Sequence, residues 1–269
     1  MKTEDQIKTE VRQQYGSIVL EAGKKENAGC CSSDCCGGDQ EVSFADDYSK
    51  LEGYMPDADL NLGCGVPTEF ARIKEGDTVL DLGAGAGNDA FIVRRITGEK
   101  GYVIGVDMTP EMVFKARENT RKMNYSNVDF RLGEIENMPV ESESVDVVVS
   151  NCVLNLVPNK DKAFSETKRV LKSGGHFSIS DIVIEGGEIP DELRDDIAAY
   201  AACISGAIGK TEYLEKLQAS GFVNVSVQRE RELEIPIEFI EKHFGQNWTS
   251  VASDSLPKLL SITVYGEKP

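Results

Sequence analysis

The sequence predicts an α/β fold: an open, mostly parallel sheet with helices packed on it. Three observations carry that expectation. A short apolar run of Val79, Leu80 and Leu82 meets glycines at alternate positions, Gly83, Gly85 and Gly87, as a buried parallel strand leading into a ligand-approaching turn would. Twenty residues past Gly87, a second apolar run begun at Val103 ends in an acid, Asp107. Strand-like runs then alternate with amphipathic stretches to about residue 185, the pattern of parallel strands joined by crossover helices.

Residues 3–23 read as a helix, with Ile7, Val11, Ile18 and Val19 near helical spacing. It packs on the core or acts as a lid. Gly29 to Gly38 sets Cys30, Cys31, Cys35 and Cys36 among small and polar residues, a loop composition. Four thiols so close suit a thiophilic ion or disulfide exchange better than zinc, which usually takes Cys-x2-Cys with a distant second pair. A segment without function is the plain alternative. Residues 41–59 are acidic and irregular. From Leu60 to Pro67 a rigid turn follows, with Cys64 between two glycines and so open to approach.

Asp81 ends the first strand, at the edge where open α/β sheets bind ligands. Gly85, Gly87 and Ala90 also satisfy the dinucleotide pattern G-x-G-x-x-A, so a nicotinamide enzyme is one reading. Asp81 favours another: a carboxylate suits a ligand with a cationic amino-acid portion and repels a pyrophosphate. The stretch resembles the first motif of class I methyltransferases, which bind S-adenosylmethionine. Asp107 is placed to grip ribose hydroxyls.

Thr109-Pro-Glu starts a helix, with Thr as cap, that runs to about Asn124. Asn127–Leu132 is a third strand, and the loop Gly133–Pro139 is placed at the ligand edge to hold an adenine. Ser144–Asn151 is a fourth strand, followed at once by Cys152; a small buried hydrophobe is the alternative reading of that thiol. Ala163–Lys172 reads as a helix ended by Gly174 and Gly175. His176–Ile184 is a fifth strand, with His176 structural at its start. Residues 186–209 form a helical insertion over the ligand edge that carries Cys203. A helix at Thr211–Ser220, a strand at Gly221–Gln228, helix and loop at 237–256 around Trp248, and a last strand at Leu259–Gly266 complete the chain.

Composition excludes other classes. The chain has 269 residues and a formal charge of −17, which argues against nucleic acid, since phosphate binding needs clustered Lys and Arg. No apolar run approaches the ~18 residues that span a bilayer. The first residues lack a signal-peptide core, and seven cysteines then point to a reducing compartment, the cytoplasm.

Cys64, Cys152 and Cys203 come from separate stretches, each placed at the same sheet edge. Converging thiolates are soft ligands; beside a methyl sulfonium donor they suggest capture of a soft atom that accepts a methyl group, or zinc activating a thiol substrate. The sequence resembles the microbial arsenite S-adenosylmethionine methyltransferases in Gly63-Cys64-Gly65, Val79 to Gly87, Val103 to Met112, Gly133 to Glu136, Ser150-Asn-Cys-Val-Leu-Asn-Leu156, Arg169 to Gly175 and Cys203-Ile-Ser-Gly-Ala207. Tyr15-Gly16 followed by Cys30-Cys31 also matches. Roughly residues 11–225 are covered.

The resemblance implies a Rossmann-like class I methyltransferase sheet, mostly parallel with an antiparallel last strand. The expected parts are an N-terminal helix and Cys loop (1–59), a donor-binding core (60–185), an arsenic-site insertion (186–225) and a C-terminal α+β extension (226–269). It implies that Cys64, Cys152 and Cys203 bind trivalent arsenic, whose lone pair attacks the sulfonium methyl. Donor binding falls to Leu62, Gly63, Asp81, Gly83, Ala84, Gly85, Gly87, Asn88, Asp107, Met108, Glu134, Ile135 and Asn151. Cys30 and Cys31 are assigned to arsenic capture, and thioredoxin or glutathione to reduction. A carbon, oxygen or sulfur methyltransferase with structural or zinc-binding cysteines, or a non-catalytic metalloid-binding protein, is the alternative.

Overall fold

The computed structural model describes residues 3–27, 44–187, 206–234 and 257–269. Seven strands form one sheet: β1 Thr78–Leu82, β2 Tyr102–Asp107, β3 Val128–Leu132, β4 Val145–Asn151, β5 Leu171–Glu185, β6 Val223–Leu233 and β7 Lys258–Glu267. Helices among the described residues are α1 Glu4–Asn27, α2 Asn88–Thr97, α3 Pro110–Lys122, α4 Lys160–Val170 and α5 Lys210–Ala219. The strand order is β3-β2-β1-β4-β5-β7-β6. β1 to β5 run parallel, and β7 lies antiparallel between β5 and β6, as the sequence leads one to expect. β1 pairs with β2 on one side and β4 on the other. At that reversal the carboxyl ends of neighbouring strands border a crevice.

Alternation along the strands divides the apolar side chains between the two faces. Leu80, Leu82, Ile104, Val106 and Val148 pack with Phe164 of α4 and with Tyr213 and Leu217 of α5. Val79, Val103, Val147 and Val149 pack with Phe91 of α2 and with Val113 and Ala116 of α3. Burying each such side chain contributes roughly 1.5–3 kcal/mol, so the sheet is fixed from both sides. A third cluster forms beyond the carboxyl edge, where Cys64, Cys152, Leu156, Ile182 and Ala207 pack with Val11 of α1.

Several local expectations shift. α4 begins after Asn159, whose side chain accepts from Lys162 N–H, and ends at Val170. The glycines expected to end it lie inside β5, where Gly174 N–H and Gly175 carbonyl bond to Lys268. Thr109 does not cap α3 with its side chain. Its N–H donates to Asp107 at 2.8 Å, and its hydroxyl also bonds that carboxylate. β6 runs past Gln228 into Arg229–Leu233, a stretch without apolar alternation. It is held by pairing to β7 and by ion pairs from Arg229 and Arg231 to Asp46. Charge along an edge strand also discourages pairing with other chains. His176 bonds the Ala71 carbonyl and packs on Tyr265, away from the crevice. The helices expected around Cys203 and Trp248, and the thiols at 30, 31, 35 and 36, fall outside the described residues.

Two glycines that flank β1 separate backbone strain from crowding. Gly83 has φ +63°, and a Cβ there would come within 2.3 Å of Val153. Gly76 has φ +90°, with nothing within 4 Å of such a Cβ. Gly76→Ala should therefore cost only the left-handed penalty, about 1–2 kcal/mol. Gly83→Ala should add about 1–3 kcal/mol of overpacking. Urea denaturation of both variants checks this; equal losses would contradict the close approach of β1's turn to Val153.

Candidate active site

Each strand that ends at the crevice delivers a polar group to it. β1 carries Asp81, β2 ends in Asp107, and α2 begins with Asn88 and Asp89. Together with Asn151 and Cys152 after β4, these line one cleft of roughly 1100 Å³, its open mouth included. Leu62, Gly63, Gly83, Ala84, Gly85, Met108 and Ile135 also line it. So do residues that the sequence did not assign to the site: Lys8, Val11 and Tyr15 of α1, Tyr48, Asp89, Met112 and Glu136.

Three carboxylates, Asp81 and Asp89 buried and Asp107 half-buried, dominate the electrostatics. Asp81 is 2% exposed, and its Oδ2 has no hydrogen-bond partner among the described residues. Burial, with Asp89 and Asp107 nearby, holds its carboxyl well above the usual range. Burial likewise pushes Asp89 up to about 6, against hydrogen bonds that favour its charged form. Those bonds come from the Tyr48 hydroxyl to Oδ1 at 3.0 Å and the Asn151 amide to Oδ2 at 3.1 Å. Asp107 accepts the N–H of Gly85 at 2.9 Å and of Thr109 at 2.8 Å, and burial still raises it. A buried anion without a countercharge is costly. Lys8 Nζ of α1, whose residue lines the same cleft, is already committed to Glu134 at 2.8 Å and Glu136 at 3.0 Å. A cationic ligand would supply the missing countercharge, and a pyrophosphate would add to the deficit.

Glu134 and Gly87 are not among the cleft-lining residues. Glu134 takes Lys8 and also Arg12, at 2.9 Å, tying α1 to the loop after β3. Gly87 stands at the N-terminus of α2. Cys64 is fully buried just behind the lining. Its peptide is clamped at both ends: the N–H donates to Asn151 Oδ1 at 3.0 Å, and the carbonyl accepts from Ser261. Cys152 has φ +58°, a left-handed conformation that a non-glycine residue adopts at a cost. Its N–H bonds the Ser180 carbonyl at 2.8 Å. Neither thiol is in a disulfide, and both belong to the third cluster.

A methyltransferase-domain family profile matches residues 73–221. The arsenite methyltransferase of Halobacterium salinarum is 42% identical over 245 residues, covering 90% of this chain and 59% of that protein. The human arsenite methyltransferase is 33% identical, covering 81% and 58%. A solved arsenic(III) S-adenosylmethionine methyltransferase from Chlamydomonas reinhardtii superposes with TM-score 0.65 at 34% identity, covering 77% of this chain and 67% of that one. The chain belongs to the arsenite methyltransferase family. It spans a little under three fifths of the length of the two curated relatives.

S-adenosylmethionine, the donor of this family, fits the chemistry of the cleft: its sulfonium and ammonium would supply the countercharge that the buried Asp81 and Asp89 lack among the described residues. A Cβ at Gly85 would meet only Met112 Sδ, at 3.8 Å, which leaves the turn open to a ligand.

The carboxylates give the donor a pH signature. In the folded protein Asp89 sits at about 6, against an ordinary value of 3.8. Its contribution to stability is thus present below about pH 4 and lost as pH rises through about 6. A bound cation offsets that loss. The rise in melting temperature given by saturating S-adenosylmethionine should therefore be larger at pH 8 than at pH 5. A rise independent of pH, or larger at pH 5, would contradict charge compensation in the cleft.

Proposed function

We propose that this chain transfers a methyl group from S-adenosylmethionine to trivalent arsenic held by Cys64, Cys152 and Cys203, as an arsenic detoxification enzyme of the cytoplasm. One observation carries the reading. Two thiols from segments far apart in sequence pack in a single buried cluster that borders a cleft built for a cation. Cys203 itself lies outside the described residues, and among the described ones no group of three metal-holding side chains stands together. Ala207, four residues further on, packs in the same cluster. Gly206 lies so close to the turn after Cys152 that a Cβ on it would sit 1.9 Å from the Asn155 carbonyl. The segment after Cys203 is thereby held against the segment after Cys152.

The chemistry balances. Arsenite exchanges each As–O bond for an As–S bond, and each thiol proton leaves with the hydroxide as water. Three thiolates leave arsenic its lone pair, so no general base is needed at the nucleophile. The donor supplies an electrophilic methyl to that lone pair and keeps the sulfur electron pair of the broken bond. The chain's own part is placement. Asn151 and Ser261 fix the Cys64 peptide, and the left-handed turn aims Cys152 from the end of β4. Asp81 and Asp89 face the cationic end of the donor, and Asp107 grips its ribose hydroxyls. Positioning of this kind supplies ~7–11 kcal/mol in favourable cases. Methylation formally oxidises arsenic by two electrons, so each turnover needs a thiol reductant, thioredoxin or glutathione. Cys30 and Cys31 serve in capture. Neither nucleic acid nor a membrane is a partner in this reading. Separately, no helix among the described residues is long and apolar enough to cross a bilayer.

Cys152→Ser and Cys203→Ser should each abolish arsenite methylation, because a hydroxyl is harder and stays protonated near neutral pH. Donor affinity should stay within a few-fold. Cys64→Ser should also impair methylation strongly. Arsenic speciation, beside a donor titration that reports folding, measures this. Near-normal methylation in both Cys152→Ser and Cys203→Ser would refute the three-thiol site.

A further inference from the structure

Asn151 stands between the two halves of the site. Its Oδ1 accepts the Cys64 N–H at 3.0 Å, and its own peptide leads directly into Cys152. Its Nδ2 faces the Tyr48 hydroxyl at 2.7 Å, the Gly65 carbonyl at 2.9 Å and Asp89 Oδ2 at 3.1 Å. The thiol loop is pressed so closely on this amide that a Cβ at Gly63 would lie 2.7 Å from Nδ2. An amide presents an acceptor at one end and donors at the other, so whatever fixes its nitrogen also fixes its oxygen. Here the nitrogen faces the donor cleft and the oxygen holds the thiol loop.

Tyr48 does the fixing. Its ring is buried, 3% exposed, against Val66 and Ile92. Its hydroxyl donates toward the Gly65 carbonyl at 2.8 Å and Asp89 Oδ1 at 3.0 Å, and accepts from Asn151. Asp89 in turn lines the cleft. We propose that Tyr48 is a positioning residue that couples the two sites: through Asp89 and Asn151, occupation of the donor cleft holds the Cys64 thiol in place for arsenic. This rests on the arsenic reading above. A cationic ligand favours the charged carboxylate, which draws both the Tyr48 hydroxyl and the Asn151 amide toward it. The amide is then locked with its oxygen on Cys64.

The test is a calorimetric titration of arsenite into the full chain, with and without sinefungin, an unreactive cationic analogue of the donor. The unmodified chain should bind arsenite at least about 5-fold more tightly with the analogue present, within the ordinary range of site-to-site coupling. In Tyr48→Phe that ratio should fall to about one. Asp89→Asn keeps the shape of the carboxyl without its charge and should lose the ratio as well, which covers a Tyr48→Phe protein that fails to fold. A purely structural tyrosine would weaken arsenite binding equally in both conditions and leave the ratio intact. That result, or a ratio of one in the unmodified chain, overturns the proposal. Failure of the unmodified chain to bind arsenite at all would instead overturn the arsenic reading on which it rests.

Discussion

Three carboxylates gathered at one sheet edge, two of them buried, are the constraint to which the surrounding structure answers. Asp81 and Asp89 are buried and Asp107 is half-buried, and unpaired buried charge is among the costliest features a fold can hold. The local architecture reduces that cost with hydrogen-bond donors. The glycine turn offers Gly85 N–H and the start of α3 offers Thr109 N–H to Asp107. Tyr48 and Asn151 serve Asp89. Asp81 Oδ2 is left over among the described residues. What these donors cannot supply is countercharge, and a sulfonium donor is a ligand that would.

The acceptor side is organised by the same edge. β4 ends in Asn151 and leads directly into Cys152, so one strand terminus contributes both an amide that touches Asp89 and a thiol that packs in the buried cluster with Cys64. The short register between β4 and β5, with Asn151 beside Ser180, sets Cys152 N–H on the Ser180 carbonyl. β7 then reaches the site through Ser261, which holds the Cys64 carbonyl. The antiparallel strand thus helps to position the first thiol as well as to complete the sheet.

The core strands were legible because their apolar runs and glycine punctuation follow directly from burial on two faces and a turn with positive φ. Asp81 and Asp107 were legible because strand ends in such sheets meet at one place. Asp89 was not: an acid in the first turn of a helix ordinarily faces water and the helix dipole, and only the packing of Tyr48 over it reveals its burial. Tyr48 itself hides in an acidic, irregular stretch with no periodicity to mark an inward side chain. Glu134 shows the converse limit. Spacing brings its loop to the ligand edge, but which way the side chain turns depends on Lys8 and Arg12 of α1, some 120 residues away in the chain. The charged end of β6 was missed because its pairing with β7, and not alternation, makes it a strand.

The central claim is that one sheet edge brings a methyl sulfonium and a thiol-bound arsenic together in this chain. The most direct measurement is a single turnover: load the reduced protein with one equivalent of arsenite, add methyl-labelled S-adenosylmethionine without further reductant, and follow the label. The account predicts label on arsenic, up to one methyl per chain, with loss of donor to match. Arsenite bound but left unmethylated while the donor stays intact, or label found on a cysteine sulfur instead of arsenic, would contradict it.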